Sequence, residues 1–136
     1  MIEVAIAGAA GRMGRTLIEA VEASSAPIKV SAASVLAEDP ALGADIGLLA
    51  LGRPLGVLAE ASFETKFDAF DVLIDFTSPE ASLQHLALCC QAGKAMVIGT
   101  TGFAPENLAA IEDAAKKIPI VMAPNFSVGV NLCLQL

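Results

Sequence analysis

Three glycines near the start of the chain, Gly8, Gly11 and Gly14, follow an apolar stretch and recur at intervals of three residues. An apolar strand that ends in a glycine-rich turn and opens a helix leaves backbone N–H groups unpaired at the positive end of the helix dipole. Such a helix end binds phosphate groups. The stretch therefore predicts a nucleotide phosphate site at this turn.

Each glycine of the turn has a separate role in this hypothesis. Gly8 would permit a tight turn with positive φ, Gly11 would let a diphosphate approach the backbone, and Gly14 would let the new helix pack close to the strand. The spacing differs from the usual G-x-G-x-x-G, so a structural turn whose glycines serve only packing is the alternative. The apolar strand before the turn and the helical spacing of apolar residues after it favour the phosphate site.

A second polar turn, Gly99-Thr100-Thr101-Gly102, follows the apolar stretch Ala95–Ile98. Two hydroxyl groups between two glycines, at the carboxyl end of a parallel strand, form a compact polar spot where a ribose or a carboxamide can be held. A structural turn in which Thr101 caps a neighbouring group is equally compatible with these residue types.

The end of the second predicted strand, residues 27–35, bears on the choice of cofactor. In dinucleotide-binding units, a residue about 20 positions after the glycines lies beside the adenine ribose, where an acid bonds the 2′-OH or a cation meets a 2′-phosphate. Counting from Gly14 reaches Ser34, Val35 and Leu36, with no acid before Glu38. The sequence departs here from the pattern of NAD-binding proteins.

The other reactive side chains are assigned structural roles. His85, the one histidine, is predicted to face solvent and to take no part in catalysis. Asp75 is predicted to accept hydrogen bonds from the loop that follows it, with an acid in a cleft as the alternative. Cys89, Cys90 and Cys133 lack metal-ligand spacing, so no metal site is predicted and free thiols in a reducing compartment are expected.

Composition limits the classes of partner. The chain has 136 residues, 55% of them hydrophobic, which suffices for one domain with a buried core. A formal charge of −7 argues against nucleic acid and anionic membranes as partners, because both attract a surplus of Lys and Arg. No apolar run reaches the ~18 residues of a membrane span, and the N-terminus lacks the basic region of a signal peptide. A cytoplasmic location is therefore expected.

Predicted strands and helices alternate along the chain. Strands are expected at residues 1–7, 27–35, near Val57, and at 71–76, 95–98 and 120–123. The fold class that follows is α/β: a Rossmann-like, doubly wound, mainly parallel sheet with helices on both faces and its ligand at the carboxyl ends of the strands.

Two helices have clear sequence signals. The first is expected to begin with Ser78 as N-cap and Pro79 at N1 and to close at Gly93. Its inward face is predicted to carry Leu83, Leu86, Ala87 and Cys90. The second is expected over residues 105–117, with an inward face of Leu108, Ile111, Ala114 and Ala115.

Four motifs, in order along almost the whole chain, resemble the dihydrodipicolinate reductases. They are AGAAGRMGR at residues 7–15, DFTSPE at 75–80, VIGTTGF at 97–103 and APNFSVGVN at 123–131. Each motif is weak by itself, whereas the four together are specific.

The resemblance implies NAD(P)H-dependent reduction of a cyclic, unsaturated dicarboxylate to tetrahydrodipicolinate, on the route to diaminopimelate and lysine. By position, the first motif would hold the diphosphate with Arg12 near the adenosine, the third would meet the nicotinamide ribose and carboxamide, and Phe126 would form a flat wall against the nicotinamide ring. The cofactor would be NADH or NADPH. The implied cofactor-binding residues are Gly8, Ala9, Ala10, Gly11, Arg12, Met13, Ser34, Val35, Gly99, Thr100, Thr101, Ala123, Pro124, Asn125 and Phe126.

Two departures from the family pattern are visible. Val35 and Leu36 stand where members commonly have an acid followed by a base, so the sequence does not rank NADH against NADPH. Ser34 with Arg12 could receive a 2′-phosphate, and the equal alternative is that no residue here discriminates between the two cofactors. The substrate half of the family is absent from the sequence, and the catalytic residues are expected there. The expected organisation is a dinucleotide-binding domain over residues 1–126 and the start of a connecting helix over 127–136.

The resemblance also implies partners. The substrate would be a small dicarboxylate bound through the absent domain, and the full-length protein would be a homo-oligomer, a tetramer by resemblance. The chain alone is expected to bind cofactor without turnover. The alternatives are a non-catalytic nucleotide-binding or redox-sensing module, and the cofactor domain of a homoserine- or aspartate-dehydrogenase-like enzyme. The third and fourth motifs favour the reductase, because a sensor has no need of a shaped nicotinamide wall.

Overall fold

The computed structural model describes residues 1–122, which form alternating strands and helices. The strands are β1 (Ile2–Ala7), β2 (Ile28–Ser34), β3 (Ala59–Glu60), β4 (Val72–Asp75), β5 (Ala95–Ile98) and β6 (Ile120–Met122). The helices are α1 (Arg12–Ala23), α2 (Ile46–Ala50), α3 (Pro79–Ala92) and α4 (Pro105–Ala114), with a short 3₁₀ turn at Phe67–Ala69.

The six strands form one sheet in the order β3-β2-β1-β4-β5-β6, and every neighbouring pair is parallel. The predicted Rossmann-like fold is confirmed. The register aligns the last residues of all six strands in one row across the sheet. That row is Glu60, Ser34, Ala7, Asp75, Ile98 and Met122. The loops that follow these strands therefore leave the sheet at the same carboxyl edge.

The central strands are apolar on both faces because helices cover both. Val4 and Ile6 of β1 pack in one core with Leu17 and Ile18 of α1. Ala5 and Ala7 point the other way, into a second core that includes residues of α3 and α4. The alternation along a single strand thus gives each layer of helices its own apolar surface.

The predicted limits of α3 are confirmed. Ser78 is the N-cap and its hydroxyl accepts a hydrogen bond from the Ala81 amide, Pro79 occupies the first turn, and Gly93 closes the helix with φ of 70°. The predicted inward face is partly wrong. Ala87 is exposed, whereas Ser82 and Cys89 are buried beside Leu86. A long-range hydrogen bond that Ser82 donates to Thr100, described below, holds Ser82 on the inward side of this helix.

The prediction for α4 is also partly wrong. Ile111 and Ala114 are buried as expected, but Leu108 and Ala115 are exposed. The regular helix ends at Ala114, because the amides of Lys116 and Lys117 bond to carbonyls three residues back and tighten the last turn. The predicted helix at 127–136 lies outside the described residues.

Candidate dinucleotide-binding site

The turn between β1 and α1 presents free amide groups at the start of a helix. Gly8 has φ of 71° and turns the chain, and Gly11 is the N-cap of α1 without a side-chain cap. No described residue accepts a hydrogen bond from the amides of Arg12 and Met13. The first turn of α1 carries no acidic residue, so nothing competes with an anion there.

The predictions that Gly8 adopts positive φ and that Gly14 lets the helix pack close to the turn are confirmed. A Cβ on Gly14 would overlap the Gly8 carbonyl oxygen and lie 2.7 Å from the Ala9 Cα, so this glycine allows the close contact between helix and turn. A Cβ on Gly8 would lie 2.9 Å from Thr77 Cγ2. Gly11 meets only the Gly8 carbonyl oxygen, at 3.4 Å, and otherwise faces open space.

A cleft of about 460 Å³ opens at the carboxyl edge of the sheet. It lies where the strand order reverses between β1 and β4, which is the position of the ligand in open parallel sheets of this kind. Its walls come from the glycine turn, the end of β2, the loop after β4 and the first half of α3. They include Gly8, Ala10, Gly11, Ser34, Val35, Leu36, Asp39, Phe76, Thr77, Ser78, Gln84 and His85.

Three predicted residues of the first motif lie outside the cleft wall. Ala9 is fully buried and its amide donates to the Ser34 carbonyl at 2.9 Å. The Met13 side chain packs against the core beneath α1, and the Arg12 side chain is exposed. Arg15, which the sequence did not single out, donates from Nε to the Ala10 carbonyl at 3.0 Å and places a cation on the turn.

The end of β2 forms the wall next to the glycine turn. Ser34 is buried and Val35 donates its amide to the Glu60 carbonyl at 2.8 Å, so backbone bonding fixes both residues. Asp39 follows a few residues later and also lines the cleft, with its Oδ1 accepting from the Ala41 amide at 2.8 Å. Asp39 is the one acidic residue among the described residues that line the cleft.

The second predicted turn is closely packed. A Cβ on Gly99 would overlap the ring of Phe76, so this glycine makes room for an aromatic side chain that lines the cleft. Thr100 is buried, and its hydroxyl accepts from the Thr77 amide at 3.0 Å and from the Ser82 hydroxyl at 2.7 Å. Thr101 is exposed beside a smaller pocket of about 260 Å³ that Thr100, Phe103 and Met122 also line.

Asp75 joins this turn to α3. Its side chain has no exposed surface, and its Oδ1 accepts from the Thr77 amide at 2.9 Å. The predicted role of Asp75, as acceptor for the following loop, is confirmed. Its Oδ2 lies 2.6 Å from Nδ1 of His85. The prediction that His85 faces solvent is wrong: its side chain is only 18% exposed, because the bond to Asp75 draws the ring to the edge of the sheet.

Two further functional features follow from this geometry and were missed in the sequence. Asp39 directly follows Glu38 and lies beyond the position, about 20 residues after the glycines, where the ribose acid is expected, so its position gave no signal. Phe76 has no local sequence signal, because its place in the cleft depends on Gly99, which lies 23 positions later in the chain. The predicted residues Ala123, Pro124, Asn125 and Phe126 lie outside the described residues.

Cys89 lies beneath this network and gives a direct test of burial. Burial is the main cause that raises the pKa of its thiol to about 12, and the neighbouring Cys90 and the Asp75 carboxylate add to the effect. The thiolate is the nucleophile, so at about pH 8 we expect Cys89 to resist iodoacetamide in the folded protein and to react in urea, where its pKa returns to about 8.5. Peptide mass spectrometry of the Cys90→Ser variant measures this; equal alkylation rates with and without urea would contradict it.

Residues 1–122 contain no cluster of three or more His, Cys, Asp or Glu side chains that could hold a metal ion. Within the same range, no helix combines the length and apolar character needed to cross a bilayer.

Comparison with known proteins agrees with this geometry. The family model described as "Dihydrodipicolinate reductase, N-terminus" matches residues 2–126. The 4-hydroxy-tetrahydrodipicolinate reductase of Pseudomonas fluorescens Pf-5 is 55% identical over the whole chain, and that of Syntrophotalea carbinolica is 48% identical; the match covers 51% of each relative. The chain thus spans about half the length of the curated relatives that it matches.

A solved structure is similar over nearly the same range. The dipicolinate-bound dihydrodipicolinate reductase from Paenisporosarcina sp. TG-14 superposes with a TM-score of 0.73 and 29% identity, over 94% of this chain and 49% of that one. The sheet order, the glycine turn and the match over residues 2–126 lead to one assignment. The chain belongs to the dihydrodipicolinate reductase family and corresponds to its N-terminal part.

Proposed function

We propose that this chain is the cofactor-binding part of a 4-hydroxy-tetrahydrodipicolinate reductase and that it binds NADH or NADPH in the cleft at the carboxyl edge of the sheet. The observation that carries the proposal is the cleft itself, which borders the β1–α1 turn at Gly8, Ala10 and Gly11, next to the free amides of α1, and lies at the reversal of strand order. A diphosphate seated on that turn would accept hydrogen bonds from the amides at the start of α1, with Arg15 adding a cation beside them.

The two ends of the dinucleotide would lie on opposite sides of the glycine turn. The adenosine ribose would lie next to β2, beside Ser34 and Val35, because this is the position that ribose takes in related folds. The nicotinamide would then lie toward β5 and the turn at Gly99. In this arrangement the exposed Thr101 is the hydroxyl available to the ligand, since that of Thr100 is bonded within the protein. Ala123, Pro124, Asn125 and Phe126 remain the proposed walls of the nicotinamide.

The bound cofactor supplies the hydride, and this chain's residues bind and orient it. The Phe76 ring and the buried strand ends keep one side of the cleft apolar, which excludes water from the transferred hydride. Reduction of a dianionic substrate needs cations and a proton donor, which we assign to the part of the family that this chain does not match. The 136 residues by themselves would bind cofactor without turnover.

The carboxylate of Asp39 favours NADH over NADPH. An acid near the end of β2 bonds the 2′-OH of the ribose and repels a 2′-phosphate. We expect NADH to bind about tenfold more tightly than NADPH, and Asp39→Asn to remove most of that difference. Titration calorimetry with both cofactors measures the difference in affinity. The matched control is Asp71→Asn, the same change at an exposed aspartate. Tighter binding of NADPH by the unaltered chain would contradict this role of Asp39.

The remaining partners follow from family membership. The substrate would be a cyclic dicarboxylate, the full-length protein a homo-oligomer such as a tetramer, and the location cytoplasmic. Nucleic acid is not proposed as a partner, because the chain carries a net charge of −7.

The binding proposal is tested by calorimetric titration of NADH, NADPH and adenosine diphosphate ribose into the chain. We expect at least one reduced cofactor to bind with a Kd below about 1 mM, and more tightly than adenosine diphosphate ribose because the nicotinamide adds contacts. Equal affinities would favour the alternative, a non-catalytic nucleotide-binding or redox-sensing module, and no binding of any of the three would overturn the proposal.

A further inference from the structure

The His85 ring is fixed in one tautomer on the wall of the cleft. Its Nδ1 lies 2.6 Å from Oδ2 of Asp75, and Oδ1 of the same buried carboxylate accepts from the Thr77 amide. A carboxylate only accepts hydrogen bonds, so Nδ1 carries the hydrogen that is shared with Asp75. In the neutral ring, Nε2 then has a free lone pair and acts as an acceptor.

The Nε2 atom is open to the cleft. None of the residues from 1 to 122 bonds to it, and that part of the chain holds no buried side-chain nitrogen that lacks a partner. Nε2 therefore belongs to the 18% of the side chain that is exposed, and His85 lines the cleft.

His85 lies at the end of the cleft that receives the adenosine. Although α3 follows β4, the ring meets Phe63 edge-on at a centroid distance of 5.8 Å, and Phe63 follows β3. The partner of β3 in the sheet is β2, whose last residue, Ser34, marks the ribose position. Leu36 and Ala61 complete an apolar wall at the same end, which suits the flat face of a base.

We propose that, within the dinucleotide site proposed above and resting on that function, His85 recognises the adenine base, with Nε2 accepting a hydrogen bond from the 6-amino group. Asp75 is the positioning residue, because it selects the tautomer that accepts. A purine with oxygen at position 6 presents an acceptor to this lone pair and is disfavoured. Selectivity for a 6-amino purine is thus set by a buried carboxylate that does not touch the base.

The test compares NADH with reduced nicotinamide hypoxanthine dinucleotide, which differs only in having a 6-oxo base. The unaltered chain is expected to prefer NADH by about tenfold, the worth of one hydrogen bond. His85→Phe keeps a ring at this position and is expected to bring the two affinities to within about twofold.

Asp75→Asn is expected to reverse the preference between the adenine and hypoxanthine cofactors. The introduced amide keeps its oxygen toward the Thr77 amide and its NH₂ toward Nδ1, so the ring carries its hydrogen on Nε2 and becomes a donor. This variant is expected to prefer the hypoxanthine cofactor. Asp71→Asn, the same change at an exposed carboxylate that accepts from the Glu3 amide, is the matched control and should keep the preference for NADH.

The outcomes separate the two proposals. If NADH does not bind to the unaltered chain, the proposed function fails. If NADH binds but the unaltered chain does not distinguish the two bases, only the role of His85 fails. A preference for NADH that His85→Phe and Asp75→Asn both leave unchanged, with circular dichroism showing folded variants, also overturns that role.

Discussion

Gly14→Ala is expected to lower the free energy of unfolding by about 3 kcal/mol or more. The added methyl group would overlap the Gly8 carbonyl oxygen and press on the Ala9 Cα at 2.7 Å. Both neighbours are backbone atoms at the end of a central strand, so neither can move away without displacing β1 or α1. Urea unfolding followed by circular dichroism measures the loss.

Gly11→Ala is the matched control for that change, since it adds the same methyl group three residues earlier. Gly11 has φ of −74°, which any residue adopts, and its Cβ would meet only the Gly8 carbonyl oxygen at 3.4 Å. We expect its stability to fall by no more than about 0.5 kcal/mol, the cost of alanine at an N-cap. Its affinity for NADH should fall by about tenfold, because the methyl group occupies the space where the diphosphate approaches. Equal stabilities of the two variants would contradict the assignment of Gly14 to packing.

Asp75→Ala is expected to cost about 2–4 kcal/mol of stability, because it leaves buried polar groups without their acceptor. The Thr77 amide would keep only the Thr100 hydroxyl, at 3.0 Å, and His85 would lose the partner of its Nδ1. The loop after β4 would then lose its fixed position in the cleft. The measurement is again urea unfolding, read from the midpoint.

The comparison variant is Asp71→Ala, which removes an exposed carboxylate that accepts from the Glu3 amide at 2.8 Å. This variant should lose less than about 1 kcal/mol of unfolding free energy, because water replaces the carboxylate as acceptor. If both alanine variants unfold at the same urea concentration, Asp75 does not organise the loop.

The parts of the fold that sequence predicted are those with local signals. A strand of apolar residues before Gly8, a capping Ser78 followed by Pro79, and a Gly93 that adopts positive φ each depend on neighbours within a few positions. The parallel arrangement of the strands was predicted from their alternation with helices, since parallel strands require crossover connections. These signals determine where elements begin and end.

The rotation of α3 and the side-chain partners in the cleft depend on residues distant in sequence. Apolar periodicity predicted that the polar His85 faces solvent and did not include Ser82 in the inward face, yet Ser82 bonds to Thr100 and His85 to Asp75. These bonds join residues 18 and 10 positions apart, so no local sequence pattern predicts them. Similarly, Leu108 looks like a core residue by spacing but lines a surface pocket.

The central claim is that a dinucleotide lies in the cleft with its diphosphate on the β1–α1 turn, and amide NMR during titration with NADH tests it most directly. The prediction is that the largest shifts occur at the amides of Gly11, Arg12 and Met13, with further shifts at His85 and Thr101. Adenosine diphosphate ribose should reproduce the shifts at the turn and at His85 but not at Thr101. Saturable shifts that leave the amides of the glycine turn unchanged would contradict the claim.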